Sequence, residues 1–245
     1  MRFVDSHLHL DGSPGGDEVR DASGLDMLLF CCGVDKATSA ETLRTAAQHP
    51  GQVRAFVGTH PSESETEPDL RWLSTGLKAA SGVGEIGLDP KYSGIGLESV
   101  QRKVFIRQLE AARGEGKPVQ VHSRGAEREC LGILENIGPE SVLMHWFQEE
   151  ALLGELMDRG YFISFGPALI NSRKLQRMAA KCDPRSVLVE SDSPVSYRPL
   201  GGVHGTSLIP SVVFKLAELW GHTFEETRVL TAGNALRYIG TVEKG

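Results

Sequence analysis

The sequence predicts an α/β fold, a single (β/α)8 TIM-type barrel that spans residues 1–245. Short β-rich runs recur along the chain, and each is followed by a longer stretch with helical periodicity. Eight such runs occur, and barrels of this kind commonly reach about 250 residues as one domain. Residues capable of chemistry end several of the predicted strands, where barrel enzymes carry their sites.

The predicted elements alternate along the chain in the order that a barrel requires. The predicted strands cover residues 3–10, 27–32, 53–58, 83–88, 118–123, 141–146, 161–165 and 187–191. The stretches with helical spacing cover residues 40–47, 68–80, 97–113, 127–136, 149–159, 172–181, 208–220 and 224–238. Gly82, Gly138, Gly160 and Gly221 lie where helices should stop, which predicts left-handed caps at these four positions.

An open, doubly wound α/β sheet is the structural alternative to the barrel. That fold would need a phosphate-binding glycine fingerprint after a strand, and the sequence contains none. We therefore favour the closed barrel, with right-handed parallel crossovers.

The composition limits the classes of function. Hydrophobic residues make up 40% of the chain and charged residues 24%, which is ordinary for a globular enzyme. The net charge of −6 argues against a protein that coats duplex nucleic acid, because such binding needs a basic face. It does not argue against an enzyme that meets phosphate groups through metal ions.

The cysteines and the apolar runs indicate where the protein works. The four cysteines have no CxxC spacing, and the adjacent Cys31 and Cys32 should point to opposite strand faces, so we expect buried free thiols. No apolar run approaches the roughly 20 residues that span a bilayer. The amino terminus runs directly into the first predicted strand and leaves no room for a signal peptide. We therefore expect a cytoplasmic protein with no membrane partner.

The first predicted strand carries a histidine pair. Apolar and small residues alternate with Asp5, His7 and His9, so these three side chains should project from one strand face. Histidine is a common ligand of Zn²⁺ and similar ions, and two imidazoles on one face make half of a chelate. Packed or exposed histidines without a metal are the alternative.

Further titratable residues lie at the ends of other predicted strands. They are His60, Glu85, His122, His145, Glu190 and Asp192. Each of them alone is readily explained as a structural residue whose hydrogen bonds are satisfied within the protein. Burying several imidazoles and carboxylates in one barrel mouth, however, costs several kcal/mol per group unless they are paired or bind a cation. Their convergence therefore predicts a metal centre.

Five segments resemble the motifs of the TatD family of metal-dependent deoxyribonucleases, in order and almost end to end. They are residues 5–9 (DSHLH), 84–89 (GEIGLD), 117–124 (KPVQVHSR), 190–194 (ESDSP) and 233–235 (GNA). The resemblance implies an amidohydrolase-like barrel that hydrolyses phosphodiesters with two metal ions. It implies a first ion held by His7, His9, Glu85 and Asp192, and a second held by Glu85, His122 and His145, with Glu85 bridging.

The chemistry of phosphodiester hydrolysis also favours two metal ions. Two cations about 3.5–4 Å apart can activate water and neutralise charge on the attacking and leaving oxygens. Glu85 offers two oxygens for bridging, and Asp192 can both bind an ion and accept the proton of the attacking water. We expect Glu190 to orient a ligand or assist catalysis, with a buried supporting carboxylate as the alternative. The donor set suits Zn²⁺, Mn²⁺ or Mg²⁺ without choosing among them.

Two residues are candidates for contact with a substrate phosphate. His60 matches a family position near the scissile phosphate, and we expect it to act in both binding and catalysis. Arg124 could offer a bidentate fork to a phosphate oxygen, or could instead form a salt bridge over the barrel rim. Trp146 stands where the family usually has a smaller residue, so we expect a reshaped substrate pocket around an unchanged metal centre.

The leading hypothesis is a metal-dependent hydrolase that cleaves DNA. In a second hypothesis the metal centre is the same, but the enzyme hydrolyses another ester or amide bond, for example in a lactone or aminoacyl-tRNA. A third is a barrel that binds metal without catalysis. The sequence leaves the oligomeric state open.

Overall fold

The computed structural model describes residues 2–10, 17–64, 69–92 and 97–240. Within these residues, eight parallel strands form one sheet in chain order, so that each strand pairs with the one before it. The strands are β1 (Phe3–Leu8), β2 (Met27–Cys32), β3 (Val53–Val57), β4 (Gly82–Gly87), β5 (Val119–His122), β6 (Val142–Met144), β7 (Phe162–Phe165) and β8 (Val187–Val189).

Backbone hydrogen bonds join the first strand to the residues that follow the last one. The N–H of Asp192 donates to the carbonyl of His7 at 3.0 Å, and the N–H of His9 donates to the carbonyl of Ser193 at 2.7 Å. These bonds close the sheet into a cylinder, and the predicted (β/α)8 barrel is confirmed.

Helices surround the sheet, and two of them follow the last strand. The helices in the described ranges are α1 (Asp17–Gly24), α2 (Lys36–Gln48), α3 (Arg71–Gly76), α4 (Glu98–Gly114), α5 (Glu127–Ile137), α6 (Leu153–Asp158), α7 (Arg173–Lys181), α8 (Ile209–Trp220) and α9 (Phe224–Tyr238). Two of them begin with capping boxes, formed by Asp35 with Thr38 and by Thr223 with Glu226. The caps satisfy amide groups that the first helical turn leaves free.

The element boundaries differ from the sequence prediction in several places. Helix α2 begins at Lys36 rather than at residue 40, and α3 covers only Arg71–Gly76 of the predicted 68–80. Helix α1 was not predicted, because its only apolar buried residues are Val19 and Ala22 and its charged residues mask the periodicity. The predicted helix over 149–159 begins as a 3-10 turn at Glu150–Leu152. The predicted start of the helix over 68–80 lies at Pro68, outside the described residues.

The prediction that Gly82 caps a helix is wrong. Gly82 is the first residue of β4, and a Cβ there would lie 2.2 Å from the ring of Phe56. The glycine serves close packing rather than a left-handed turn. Gly138, Gly160 and Gly221 do have positive φ angles, of 69°, 70° and 67°, at or next to helix ends as predicted.

The strands bury apolar side chains on both faces. One face packs against the helices, and the other fills the barrel interior with Val4, Leu28, Phe30, Cys32, Phe56, Leu143, Phe162 and Leu188. Tyr238 of α9 packs against the interior cluster, with its ring stacked on Phe56 at 6.1 Å between centroids. Cys31 and Cys32 fall in different clusters, and the four cysteines are buried and free, as predicted.

Truncating Phe56 tests how much this interior cluster stabilises the barrel. Phe56 is fully buried, so Phe56→Ala should lower the free energy of unfolding by about 3–5 kcal/mol. For a chain of this size that corresponds to a fall in Tm of about 6–20 °C, measurable by calorimetry. Phe214→Ala is the control, because Phe214 is 54% exposed and its loss should change Tm little. Equal shifts in the two variants would contradict the assignment of the core.

None of the helices in the described ranges is both long and apolar enough to cross a membrane. The cytoplasmic location and the single domain over residues 1–245 stay predictions.

Candidate active site

The six predicted metal ligands lie together at the carboxyl-terminal end of the barrel. Three sets of side chains each bring one donor atom per residue within 4.8 Å of one another. The sets are His7 with Glu85 and His145, His7 with His9 and Asp192, and His60 with Glu85 and His122. Because the sets share members, they form one continuous cluster.

Glu85 occupies the centre of this cluster, and its two oxygens face different histidines. Oε2 lies 3.6 Å from Nε2 of His7 and 3.2 Å from Nε2 of His9. Oε1 lies 2.8 Å from Nδ1 of His122, 3.1 Å from Nε2 of His145 and 3.5 Å from Nε2 of His60. This division is the geometry that a bridging carboxylate requires.

The glycines around Glu85 allow β5 to approach β4 closely. Gly87 pairs with His122 and has a φ of 148°, and a Cβ there would lie 1.9 Å from the carbonyl oxygen of His122. A larger residue at position 87 would push the two strands apart. The glycine thus keeps Glu85 and His122 within hydrogen-bond distance.

The hydrogen bonds of His7 show whether its ring can bind a cation. Gln120 donates from Nε2 to the carbonyl of Ser6 at 2.9 Å, so its Oε1 is the atom that faces Nδ1 of His7 at 2.5 Å. Nδ1 must then carry a hydrogen, because an amide oxygen can only accept. Nε2 of His7 is buried and has no hydrogen-bond partner among the described residues. It is therefore available as a metal ligand, and the residues present fit the predicted ions.

The other candidate ligand histidines are oriented in the same manner. Nδ1 of His9 donates to the carbonyl of Cys32 at 3.0 Å, and Nδ1 of His145 lies 3.2 Å from Oε2 of Glu190. Nε2 of His122 lies 2.7 Å from Oδ2 of Asp89. Each ring thus has one nitrogen anchored by an acceptor and the other directed at Glu85, the arrangement found around metal-binding histidines.

Asp192 completes the cluster from the segment that follows β8. Its Oδ1 lies 3.6 Å from Nε2 of His7 and 3.7 Å from Nε2 of His9. It has a φ of 48°, an uncommon conformation for a non-glycine residue, and its N–H bond to the carbonyl of His7 helps to hold it there. Asp192 therefore adds a second carboxylate on the His7 side of Glu85.

Glu190 lies behind His145 rather than at the cavity surface. It is fully buried, and its carboxylate accepts hydrogen bonds from Ser164 Oγ at 2.5 Å and from the N–H of Trp146 at 3.1 Å. With the contact to His145, these bonds occupy both oxygens. The contacts favour an orienting role, and the predicted catalytic role of Glu190 stays a prediction.

His60 and Arg124 both reach the cavity next to the cluster. The N–H of Ser62 donates to Nδ1 of His60 at 3.1 Å, so in the neutral ring Nε2 carries the hydrogen. Arg124 binds Oδ2 of Asp89 through Nη2 and Nε, and its guanidinium lies 5.0 Å from the centre of the Tyr92 ring. Both alternatives for Arg124 thus remain, since it makes the rim salt bridge and also lines the cavity.

Burial and mutual charge shift the pKa values of the cluster. Burial opposes charge on His145, but Glu190 and Glu85 raise the pKa of this imidazole well above its usual value. Burial also opposes ionisation of Glu85, yet the surrounding histidines hold its pKa well below the usual range. Burial raises the pKa of Asp192 and lowers that of His60 to about 4. The site therefore pairs ionised carboxylates with imidazoles, and divalent cations can take over that compensation.

A cavity of about 660 Å³ opens over the cluster. Apart from the cluster itself, Lys91, Tyr92, Arg124 and Trp146 line it. The two basic residues favour an anionic ligand. Trp146 packs beside the buried Tyr197, with ring centroids 5.8 Å apart.

Two contributors to the site received no role in the sequence analysis. Gln120 fixes the ring of His7, and it lies two residues before His122, so strand alternation on β5 was a usable signal. Asp89 stood within a recognised motif, but only the fold reveals that it contacts His122.

Comparisons with known proteins identify the family of the chain. The family model described as TatD related DNase matches residues 4–240. A metal-dependent hydrolase named TatD from Mycobacterium tuberculosis is 29% identical, over 97% of this chain and 98% of the relative. A metal-dependent hydrolase named YcfH from Escherichia coli K12 is 31% identical, over 97% and 95% of the two chains.

A human relative supports the same family, and a solved structure shows the same fold. Human deoxyribonuclease TATDN3 is 28% identical, over 96% of this chain and 93% of the relative. The crystal structure of YJJV, a TatD homologue from Escherichia coli, superposes with a TM-score of 0.87 at 22% identity, covering 98% and 99% of the two chains. The match to the family model extends over nearly the whole barrel, and the chain therefore belongs to the TatD-related DNase family.

Proposed function

We propose that the protein is a metal-dependent hydrolase that cleaves phosphodiester bonds of DNA. The observation that carries the proposal is the position of Glu85, whose two oxygens face two groups of imidazoles below a cavity with basic residues at its rim. The names of the human and mycobacterial relatives, a deoxyribonuclease and a metal-dependent hydrolase, support the same assignment.

The proposal includes two divalent cations. His7, His9, Glu85 and Asp192 would hold one, and Glu85, His122 and His145 would hold the other. When bound, the ions would activate water and neutralise charge on the phosphate oxygens.

The remaining steps belong to side chains of the cavity. Asp192 accepts the proton of the attacking water, since a carboxylate has two oxygens and the one that binds no ion stays basic. His60 donates a hydrogen bond from Nε2 to a phosphate oxygen, because Ser62 occupies Nδ1. Arg124 and Lys91 attract and hold the substrate anion at the rim. Glu190 keeps the ring of His145 in place.

Metal removal and reloading test the proposal. The purified protein is treated with a chelator, reloaded with Mn²⁺, Mg²⁺ or Zn²⁺, and incubated with labelled single-stranded and double-stranded DNA. We expect no cleavage without metal, restored cleavage with at least one ion, and loss of cleavage in His122→Ala. Asp183→Asn, which breaks an exposed pair with Arg185, should behave like the wild type.

The same assay includes a small phosphodiester, a lactone and aminoacyl-tRNA. Turnover of the lactone or the aminoacyl ester without DNA cleavage would show that the enzyme hydrolyses an ester bond other than a phosphodiester. Metal binding without turnover of any substrate, or DNA cleavage that persists in His122→Ala, would contradict the proposed function.

A further inference from the structure

Asp89 is a buried carboxylate next to the metal centre, but it is not among the predicted ligands. Three hydrogen-bond donors converge on its Oδ2, which lies 2.7 Å from Nε2 of His122 and 2.7 and 2.8 Å from Nη2 and Nε of Arg124. Asp89 is fully buried, whereas the Arg124 side chain is 45% exposed at the cavity rim. One oxygen atom thus connects a candidate metal ligand with a candidate phosphate-binding residue.

Asp89 is itself held in a fixed position. Its Oδ1 accepts the N–H of Lys91 at 2.9 Å. The side chain of Gln101 on α4 accepts the N–H of Asp89 at 3.0 Å and donates to its carbonyl at 3.1 Å and to that of Pro61 at 3.2 Å. A carboxylate fixed in this way can determine the orientation of the groups that bind it.

His122 differs from the other candidate ligand histidines in the nitrogen that it presents. His7, His9 and His145 direct Nε2 at Glu85, but His122 directs Nδ1. Asp89 can only accept, so it retains a hydrogen on Nε2 of His122 and leaves Nδ1 as the atom for a cation. Without Asp89, the ring has no such restraint on its rotation or its tautomer.

We propose that Asp89 is a positioning residue: it selects Nδ1 of His122 as the metal-binding atom and holds Arg124 over the cavity. The inference rests on the proposed metal centre. It predicts that one substitution weakens both the binding of the second ion and the recognition of the phosphate, although Asp89 touches neither.

Asp89→Asn is a sharp test because no orientation of the amide satisfies its surroundings. If the amide oxygen faces His122 and Arg124, the NH₂ group faces the N–H of Lys91. If the amide is turned over, the NH₂ group faces three donors. We expect the affinity for the second ion, the one that His122 would hold, to fall by about 10–100-fold in a calorimetric titration of the metal-free protein with Zn²⁺.

Nitrogen NMR of the zinc-loaded protein provides a readout that does not depend on activity. In the wild type, the His122 ring should be protonated at Nε2 and bound to zinc through Nδ1. In Asp89→Asn, we expect the two tautomers to mix. Asp183→Asn is the matched control, since Asp183 also binds an arginine, Arg185, but lies outside the cavity. It should leave affinity and spectrum unchanged.

Kinetics separate the two functions of Asp89. Arg124→Ala should raise KM and leave zinc affinity near that of the wild type, and adding Asp89→Asn should raise KM little further. Wild-type zinc affinity in a folded Asp89→Asn would overturn the inference. So would binding of zinc through Nε2 of His122 in the wild-type protein, which can be measured even if the variant does not fold. Failure of the wild type to cleave DNA would refute the proposed function but leave the zinc and NMR tests of Asp89 intact.

Discussion

Replacing Asp192 with asparagine is expected to lower kcat for DNA cleavage by about 10²–10⁴-fold, the usual contribution of a general base. Asparagine has nearly the same shape and keeps the N–H bond from residue 192 to the carbonyl of His7. The substitution therefore removes negative charge and basicity with little change in the backbone. Since the side chain faces the cavity at 8% exposure, no other part of the barrel needs to rearrange.

Asp192 is also a predicted ligand, so the measurement must separate the two roles. Single-turnover cleavage of labelled DNA is measured at increasing Mn²⁺ until the rate saturates, and bound metal is counted at that point. A low rate with full metal content identifies Asp192 as the proton acceptor. A wild-type rate at saturation would place the proton acceptor elsewhere and leave Asp192 as a ligand only.

Replacing Glu85 with glutamine should lower kcat by a similar factor. Five histidine nitrogens lie within 3.6 Å of the two carboxylate oxygens, and a glutamine would direct an NH₂ group at one side of the cluster. We expect the protein to lose at least one of the two proposed ions. The loss of several kcal/mol of transition-state stabilisation corresponds to about a 10³-fold lower kcat.

Glu190→Gln is the informative comparison for Glu85→Gln. Glu190 is also fully buried, but of the candidate ligands it contacts only His145, on the side away from Glu85. Elemental analysis should therefore find a larger loss of metal in Glu85→Gln than in Glu190→Gln. Equal metal content and equal rates in the two variants would contradict a central, bridging role for Glu85.

Much of the fold and cluster could be predicted because it follows from local periodicity. Alternation along residues 4–10 predicted Asp5, His7 and His9 on one face, and His7 and His9 do face Glu85. Asp5 instead pairs with Leu29 of the helix-facing cluster, because the register between β1 and β2 shifts between Asp5 and Leu8. The position of barrel sites at the carboxyl ends of the strands predicted Glu85, His122 and Asp192 at one end. These inferences need only the strand positions and the direction in which the strands run. They do not need the register between neighbouring strands.

The contacts that the sequence did not reveal depend on such register or on enforced backbone conformations. The bond between Asp89 and His122 requires the pairing of Gly87 with His122, which no local pattern encodes. Asp192 and Trp146 have positive φ angles of 48° and 41°, and hydrogen bonds from distant elements hold them there. Gly82 was misread because glycine suits both a helix cap and a tightly packed strand.

The hydrogen bonds that close the sheet have a consequence for the integrity of the chelate. The bonds from Asp192 to His7 and from His9 to Ser193 connect chain segments more than 180 residues apart. Three of these four residues are predicted ligands, and the fourth, Ser193, lies directly beside one. The line along which β1 meets the residues after β8 thus runs through the proposed metal centre. Local unfolding that breaks these two hydrogen bonds would separate His9 from Asp192. The proposed ligand set of the first ion would then be lost while the strands on the opposite side of the barrel stay folded.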